Sequence, residues 1–312
     1  MVSGLRWLGR QGTRAVAASV FLGLALPPLS ALMKPLVTPA IVALLVVAFL
    51  RVEPVALRAA FSDPRRVAVP VLVMMIAAPL AFAAVLVGTG VAAAMPGLAL
   101  ALMIYASTPP LMSVPAFAAL LGLDVTLSLA ILVTGLGLVS FSAPLFVALL
   151  GPAAPEVGTL GLLLRLVLLV GGAALLASLA RRLIGPDRVR ANTQLFDGVN
   201  VVVLFVFAVA VMDGVAARLV AEPLFVAGLT ALSFALALCF IGLGYALFRR
   251  RGAEDAFAIG LSMGNRNLGL MIAALGSQAP EVTWLYVAVA QFPIYLLPQM
   301  LKPIARRITG RP

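Results

Sequence analysis

The segment Gly260-Leu261-Ser262-Met263-Gly264-Asn265-Arg266-Asn267-Leu268-Gly269 places three glycines, two asparagines and an arginine inside an apolar run covering about residues 254–276. A run of that length suits a membrane-crossing helix, which needs roughly 20 apolar residues to cross about 30 Å of hydrocarbon. Its centre does not suit a continuous helix. An arginine at mid-membrane costs at least about 2.5–3.5 kcal/mol and by default marks a function. A second interrupted run, over about residues 93–121, contains Ser107-Thr108-Pro109-Pro110-Leu111-Met112-Ser113-Val114-Pro115, with three prolines within seven residues. Each proline removes a backbone donor and clashes with the carbonyl four residues back. Unwound backbone at membrane depth is tolerated only where protein buries it or where it lines a wet cavity. Two readings stay open for each stretch: a ligand-binding break or a simple kink for the prolines, and for Arg266 a solute partner or the exposed carbonyls of the other break.

The rest of the chain reads the same way. Of its 312 residues 63% are hydrophobic and 11% charged, with a mean hydropathy of +1.16. Soluble domains carry about 25% charged residues, so a water-soluble fold could not hide this much apolar surface. The expected fold class is an all-α polytopic membrane protein. Ten spans are expected, at about 15–32, 36–50, 67–88, 93–121, 125–150, 159–180, 193–213, 220–248, 254–276 and 281–302. The pairs Pro27-Pro28 and Lys34-Pro35 are expected to bracket the first tight turn.

The net charge of +11 could suggest nucleic acid, but its distribution does not. Arg6, Arg10, Arg14; Arg51, Arg58, Arg65, Arg66; Arg181, Arg182, Arg188, Arg190; Arg249, Arg250, Arg251; and Lys302, Arg306, Arg307, Arg311 fall in alternate connections, 18 of the 22 basic residues. Lys34 and Arg218 lie on the opposite side, and Arg165 and Arg266 lie within spans. Under the positive-inside rule this predicts an even span count with both termini cytoplasmic, and the Ala/Arg-rich composition adds the expectation of an inner membrane. The partners expected are the lipid bilayer and a small molecule, with no nucleic acid. The absence of histidine and the single Cys239 exclude His-based catalysis, a disulfide framework and a cysteine metal site. No paired intramembrane aspartates or Gly-x-Ser-x-Gly motif points to an enzyme.

The two interrupted runs occupy corresponding positions if the chain divides into repeats of five spans, 1–155 and 156–312, joined by Gly151-Pro152-Ala153-Ala154-Pro155. An odd span number inverts the second copy. Inverted repeats with broken helices in matching positions are the sequence sign of a secondary transporter, with its site at the breaks.

At these two stretches, and through the motifs Leu120-Leu121-Gly122-Leu123-Asp124 and Asn267-Leu268-Gly269-Leu270, the chain resembles the bile acid:sodium symporter family and its wider superfamily. The resemblance implies ten spans in two inverted repeats, with the fourth and ninth spans broken and crossing. It implies a small organic anion as solute, moved by alternating access. The family's sodium ligands carry over poorly. Its Ser-Asn pair corresponds to Val114 and Pro115, a threonine to Leu132 (with Thr134 near), a glutamate to Ser262 and a glutamine to Arg266. Ser128 and Asn267 are retained. No organic cofactor is implied, and Na+ is the one ion in question. A guanidinium in place of a sodium ligand predicts weakened or absent sodium coupling, because it is a permanent cation with five donors.

The candidate binding residues are therefore Arg266, Asn265, Asn267, Ser262 and Met263 at the second break, Ser107, Thr108 and Ser113 at the first, and Ser128. Asn200, with Asp197, either lines an inner vestibule or caps its helix. Gln291 either faces the cavity or packs. Other couplings on the same architecture, and a non-transporting sensor module, are the competing readings.

Overall fold

The computed structural model describes residues 18–52, 63–150 and 158–310. The proposed link at 151–155 lies outside them. Every regular element among the described residues is helical, as hydrocarbon demands of a chain that must satisfy its backbone polar groups internally. The chain is a membrane protein with transmembrane helices. Six helices are long and apolar enough to cross: α1 (Pro27–Arg51), α2 (Pro64–Gly88), then, after the first broken run, α5 (Val125–Ala148), α6 (Gly158–Ile184), α7 (Thr193–Ala221) and α8 (Pro223–Arg251).

The other expected spans are not single long helices. The run at 93–121 is split into α3 (Pro96–Ser107) and α4 (Val114–Leu120). The run at 254–276 is split into α9 (Ala253–Gly264) and α10 (Leu268–Leu275). The last is α11 (Glu281–Met300), bent by 43° against α12 (Lys302–Thr309). The expected first span begins outside the described residues; its described part is helical over 18–25.

One boundary is corrected. Pro27-Pro28 and Lys34-Pro35 do not bracket a turn, because α1 runs through both pairs. The break precedes them at Leu26, whose φ/ψ of −121°/72° is not helical. The pair at 27–28 occupies the first helical positions, where a missing N–H costs nothing. Lys34-Pro35 falls in a short 3₁₀ stretch, Lys34–Leu36, that absorbs the other missing donor.

Packing assembles these helices around the two broken ones. α3 packs on α11 and α5, α9 packs on α5 and α8, and α1 packs on α6 and α7. Glycine makes the α8–α9 contact possible. A Cβ at Gly260 would lie 2.4 Å from the Ile241 carbonyl oxygen, and one at Gly264 would lie 2.6 Å from that of Ala237. This is the small-xxx-small contact by which membrane helices bring their backbones together.

The charged ends define two faces. On one, Arg66 holds Asp255 through two contacts of 2.8 and 2.6 Å and Asp124 at 2.9 Å, while Arg251 donates to the carbonyls of Arg65 and Arg66. Arg51 pairs with Asp197 on the same face. On the other, Lys34 pairs with Asp213 at 2.8 Å and lies over the Trp284 ring, 5.3 Å from its centroid. Arg218 pairs there with Glu222 and Glu281 at 3.2 and 3.6 Å.

Candidate functional site

The two interruptions meet. Pro110 and Arg266 form an isolated antiparallel bridge, the one β-type pairing among the described residues. The Leu111 N–H donates to the Asn265 carbonyl at 2.8 Å, and the Asn267 N–H donates to the Pro109 carbonyl at 2.9 Å. Each break thus supplies the backbone partners that the other lost. Proline decides the polarity of the exchange: Pro109 and Pro110 have no N–H, so this stretch contributes the Pro109 carbonyl and the first N–H after the pair. The close approach also requires Gly135, where a Cβ would lie 3.0 Å from that of Pro109.

Arg266 closes the crossing. It is fully buried. Its Nε donates to the Met263 carbonyl at 2.6 Å and its Nη1 to the Thr108 carbonyl at 2.7 Å. Nη1 and Nη2 both lie 3.5 Å from the Met74 carbonyl. That third acceptor has its own local cause. Residues Val73–Ala77 of α2 form a π-helical turn, in which the donor for Met74 would come from residue 79. Pro79 has no N–H to give. The Phe240 ring lies 5.3 Å from the guanidinium carbon, within reach of a cation–π attraction. Among the described residues Arg266 has no carboxylate partner: its contacts there are three carbonyls and a ring.

The other residues picked from sequence separate into groups. Thr108, Met263, Asn265, Arg266 and Asn267 come together at the crossing. Asn267 caps α10 by accepting from the Leu270 N–H, and Asn265 Nδ2 donates to the Leu261 carbonyl at 2.9 Å. Thr108 Oγ1, Asn265 Oδ1 and Asn267 Nδ2 are buried with no hydrogen-bond partner among the described residues. Ser107, Ser262 and Ser128 instead donate to carbonyls one turn back in sequence, those of Met103, Ala258 and Asp124. Gln291 is buried and donates to the Val287 carbonyl at 2.9 Å, leaving its Oε1 without a partner among the described residues. It does not line the main cavity.

That cavity, of about 480 Å³, opens on the face of Arg51 and contains Ser113 and Asn200. One wall is basic and polar: Arg51, Arg181, Arg190, Thr193, Asp197 and Asn200. The other is the second half of the first broken run and the start of α5, with Met112, Pro115, Ala119 and Leu129. Arg181 also donates to the Val52 carbonyl. Arg266 is not among the lining residues.

Sequence reasoning missed several of these. Tyr105 donates its hydroxyl to the Gly264 carbonyl at 2.7 Å. A buried tyrosine hydroxyl at mid-span needs a partner, and that was the available signal. Arg51, Arg181 and Arg190 were read only as markers of orientation, because charge counting gives a side of the membrane and no cavity. Among the described residues no cluster of three His, Cys, Asp or Glu could hold a metal ion. No protein-family profile matches the chain, and no curated protein matches it.

Proposed function

We propose that this protein is a secondary transporter of small organic anions, built from two inverted five-span repeats and working by alternating access around the helix crossing. The observation that carries the reading is the cavity whose basic wall faces the unwound end of the first broken helix. An anion entering from the basic face, cytoplasmic by the positive-inside rule, meets Arg51 and Arg181 first and then the break at Met112-Ser113. At the opposite end Lys34, Asp213, Trp284, Arg218 and Glu281 tie the helices together, so the two ends differ as an inward-open state requires. The repeat reading is supported by reciprocal packing. The broken helix of the first half, α3, lies on the last helix of the second, and the broken helix of the second half, α9, lies on the last helix of the first, α5.

Sodium fits the crossing poorly. The carbonyls of Thr108 and Met263 already accept from a guanidinium, and a second cation beside it would be repelled. Arg266 supplies fixed positive charge at the breaks, where its donors fix the geometry of the crossing. The expected behaviour is anion uptake that does not depend on a sodium gradient. The test is uptake of labelled monocarboxylates, from acetate to decanoate, into proteoliposomes with sodium or potassium on both sides. Uptake of at least one, unchanged by the swap, supports the reading. Uptake that requires sodium would overturn the role given to Arg266, and no uptake of any anion would overturn the solute class.

A further inference from the structure

A second, smaller cavity on the basic face is unused by this reading. It has a volume of about 240 Å³ and lies between the C-terminal end of α4 and one side of α12, with Lys302, Arg306 and Thr309 among its lining residues. These three positions are spaced i, i+4, i+7, which places them on one stripe of a helix. The buried Ala305 between them is small enough to let α12 pack against α9.

Lys302 and Arg306 differ from the cations of this face that are tied down. Arg51 and Arg66 pair with aspartates, and Arg181 and Arg251 donate to carbonyls. The side chains of Lys302 and Arg306, like those of Arg182, Arg249, Arg250 and Arg307, have neither an ion-pair nor a hydrogen-bond partner among the described residues, but these two alone of that group line one cavity. Two uncompensated cations at one spot repel each other and favour an anion between them. The surroundings say which anion. Leu120, on the cavity lip, is 39% exposed, and Met300 and Ile304, flanking Lys302, are 63% and 48% exposed. α12 turns away from α11 by 43°, as a helix does that lies in the membrane interface with its apolar side toward the acyl chains. A charged cavity bordered by apolar side chains at this depth suits a headgroup that carries its own hydrocarbon.

We infer that this cavity is a binding site for the phosphate of an anionic glycerophospholipid, held by Lys302 and Arg306, with its acyl chains against Leu120, Met300 and Ile304. Ala119 lines both this cavity and the large basic one, so the lipid bears on the back of the half-helix that walls the larger cavity. The binding does not depend on the transport reading.

The test uses the full chain purified in a neutral detergent. Phosphatidylglycerol, phosphatidylcholine and inorganic phosphate are added in turn, with thermal unfolding and lipid retained in native mass spectrometry as readouts. Wild type is compared with K302Q, K302Q/R306Q and R307Q, the last removing an exposed cation of α12 that does not line the cavity. Phosphatidylglycerol is expected to be retained by, and to stabilise, wild type and R307Q alike. Its affinity should fall about fivefold for each cavity cation removed, at roughly 1 kcal/mol per charge near a membrane surface. Phosphatidylcholine and inorganic phosphate should do neither. Loss in R307Q equal to that in K302Q would mean a diffuse basic surface and overturn the site. Equal stabilisation by inorganic phosphate would overturn the lipid assignment. K302Q keeps Arg306, so the proposal stays testable if the double variant does not fold, and unchanged affinity in K302Q would also refute it.

Discussion

Alanine introduced at Gly264 and at Gly242 should change stability in opposite directions. Both glycines are helical, in neighbouring helices. At Gly242 a Cβ would meet nothing within 4 Å, so alanine contributes only its better helix propensity, about 0.5–1 kcal/mol of stabilisation. At Gly264 the Cβ would lie 2.4 Å from Ile241 Cγ1 and 2.6 Å from the Ala237 carbonyl oxygen. The isoleucine can rotate, but the carbonyl belongs to the α8 backbone. Restoring ordinary contact, about 3.4 Å, requires α8 and α9 to separate locally by about 0.8 Å. Overpacking of this kind costs typically about 1–3 kcal/mol, more than the propensity gain. The displacement also reaches the site, because the Gly264 carbonyl accepts from Tyr105 and the next residues are the crossing itself. The assay is reversible unfolding in mixed micelles followed by far-ultraviolet circular dichroism, with anion uptake measured in parallel. G264A should lose about 1–2 kcal/mol and most of its uptake, while G242A gains slightly and transports normally. If the two variants shift stability equally, or G264A is the more stable, the close-contact account of α8 and α9 is wrong.

Three further outcomes follow from the same geometry. R266M leaves the Met263 and Thr108 carbonyls without their short donors, at about 1–3 kcal/mol each, the 3.5 Å contacts to Met74 being too long to add much, but removes an intramembrane cation that costs about 2.5–3.5 kcal/mol. Its net loss on unfolding in dodecyl sulfate should therefore not exceed about 3 kcal/mol although uptake disappears, and a loss of about 5 kcal/mol or more would reveal an interaction these contacts do not include. R181Q should weaken anion uptake about tenfold or more, the equivalent of one charge-assisted hydrogen bond, whereas R182Q, exposed and off the cavity, should leave it unchanged; equal effects would argue against the basic wall. K34M should loosen the opposite face by about 1 kcal/mol, given a half-exposed ion pair and one cation–π contact. A cysteine placed at Val282 in a C239S background should then label several-fold faster, and an unaltered rate would count against a closure at that face.

Much of the candidate site was legible before any coordinates. Pro109 and Pro110 side by side, with Pro115 close behind, forbid one unbroken helix through that run, and a mid-membrane Arg266 demands partners in any fold. Those statements concern one segment and its solvent. The glycines of the second break were legible only as an interruption; their close contacts with α8 depend on which neighbour arrives. Met74 was not legible at all, since its carbonyl matters only because Pro79 withholds a donor and Arg266 comes within reach. The first turn was misplaced because prolines mark helix starts as readily as ends, and only the path of the chain distinguishes the two.

Sequence by itself therefore determined that this chain lives in a membrane as helices, that two of its apolar runs are broken, and that its positive charge gathers on one side. These are consequences of local backbone sterics and of transfer from water to hydrocarbon, which each segment feels alone. Only the tertiary structure decided that the two breaks satisfy each other. It joined Arg266 to the carbonyl of Thr108, 158 residues away, and selected Arg51, Arg181 and Arg190 from the basic residues to wall a cavity. Hydrogen-bond exchange between distant segments, and the shape left between packed helices, belong to no single segment and so are not written in any one of them.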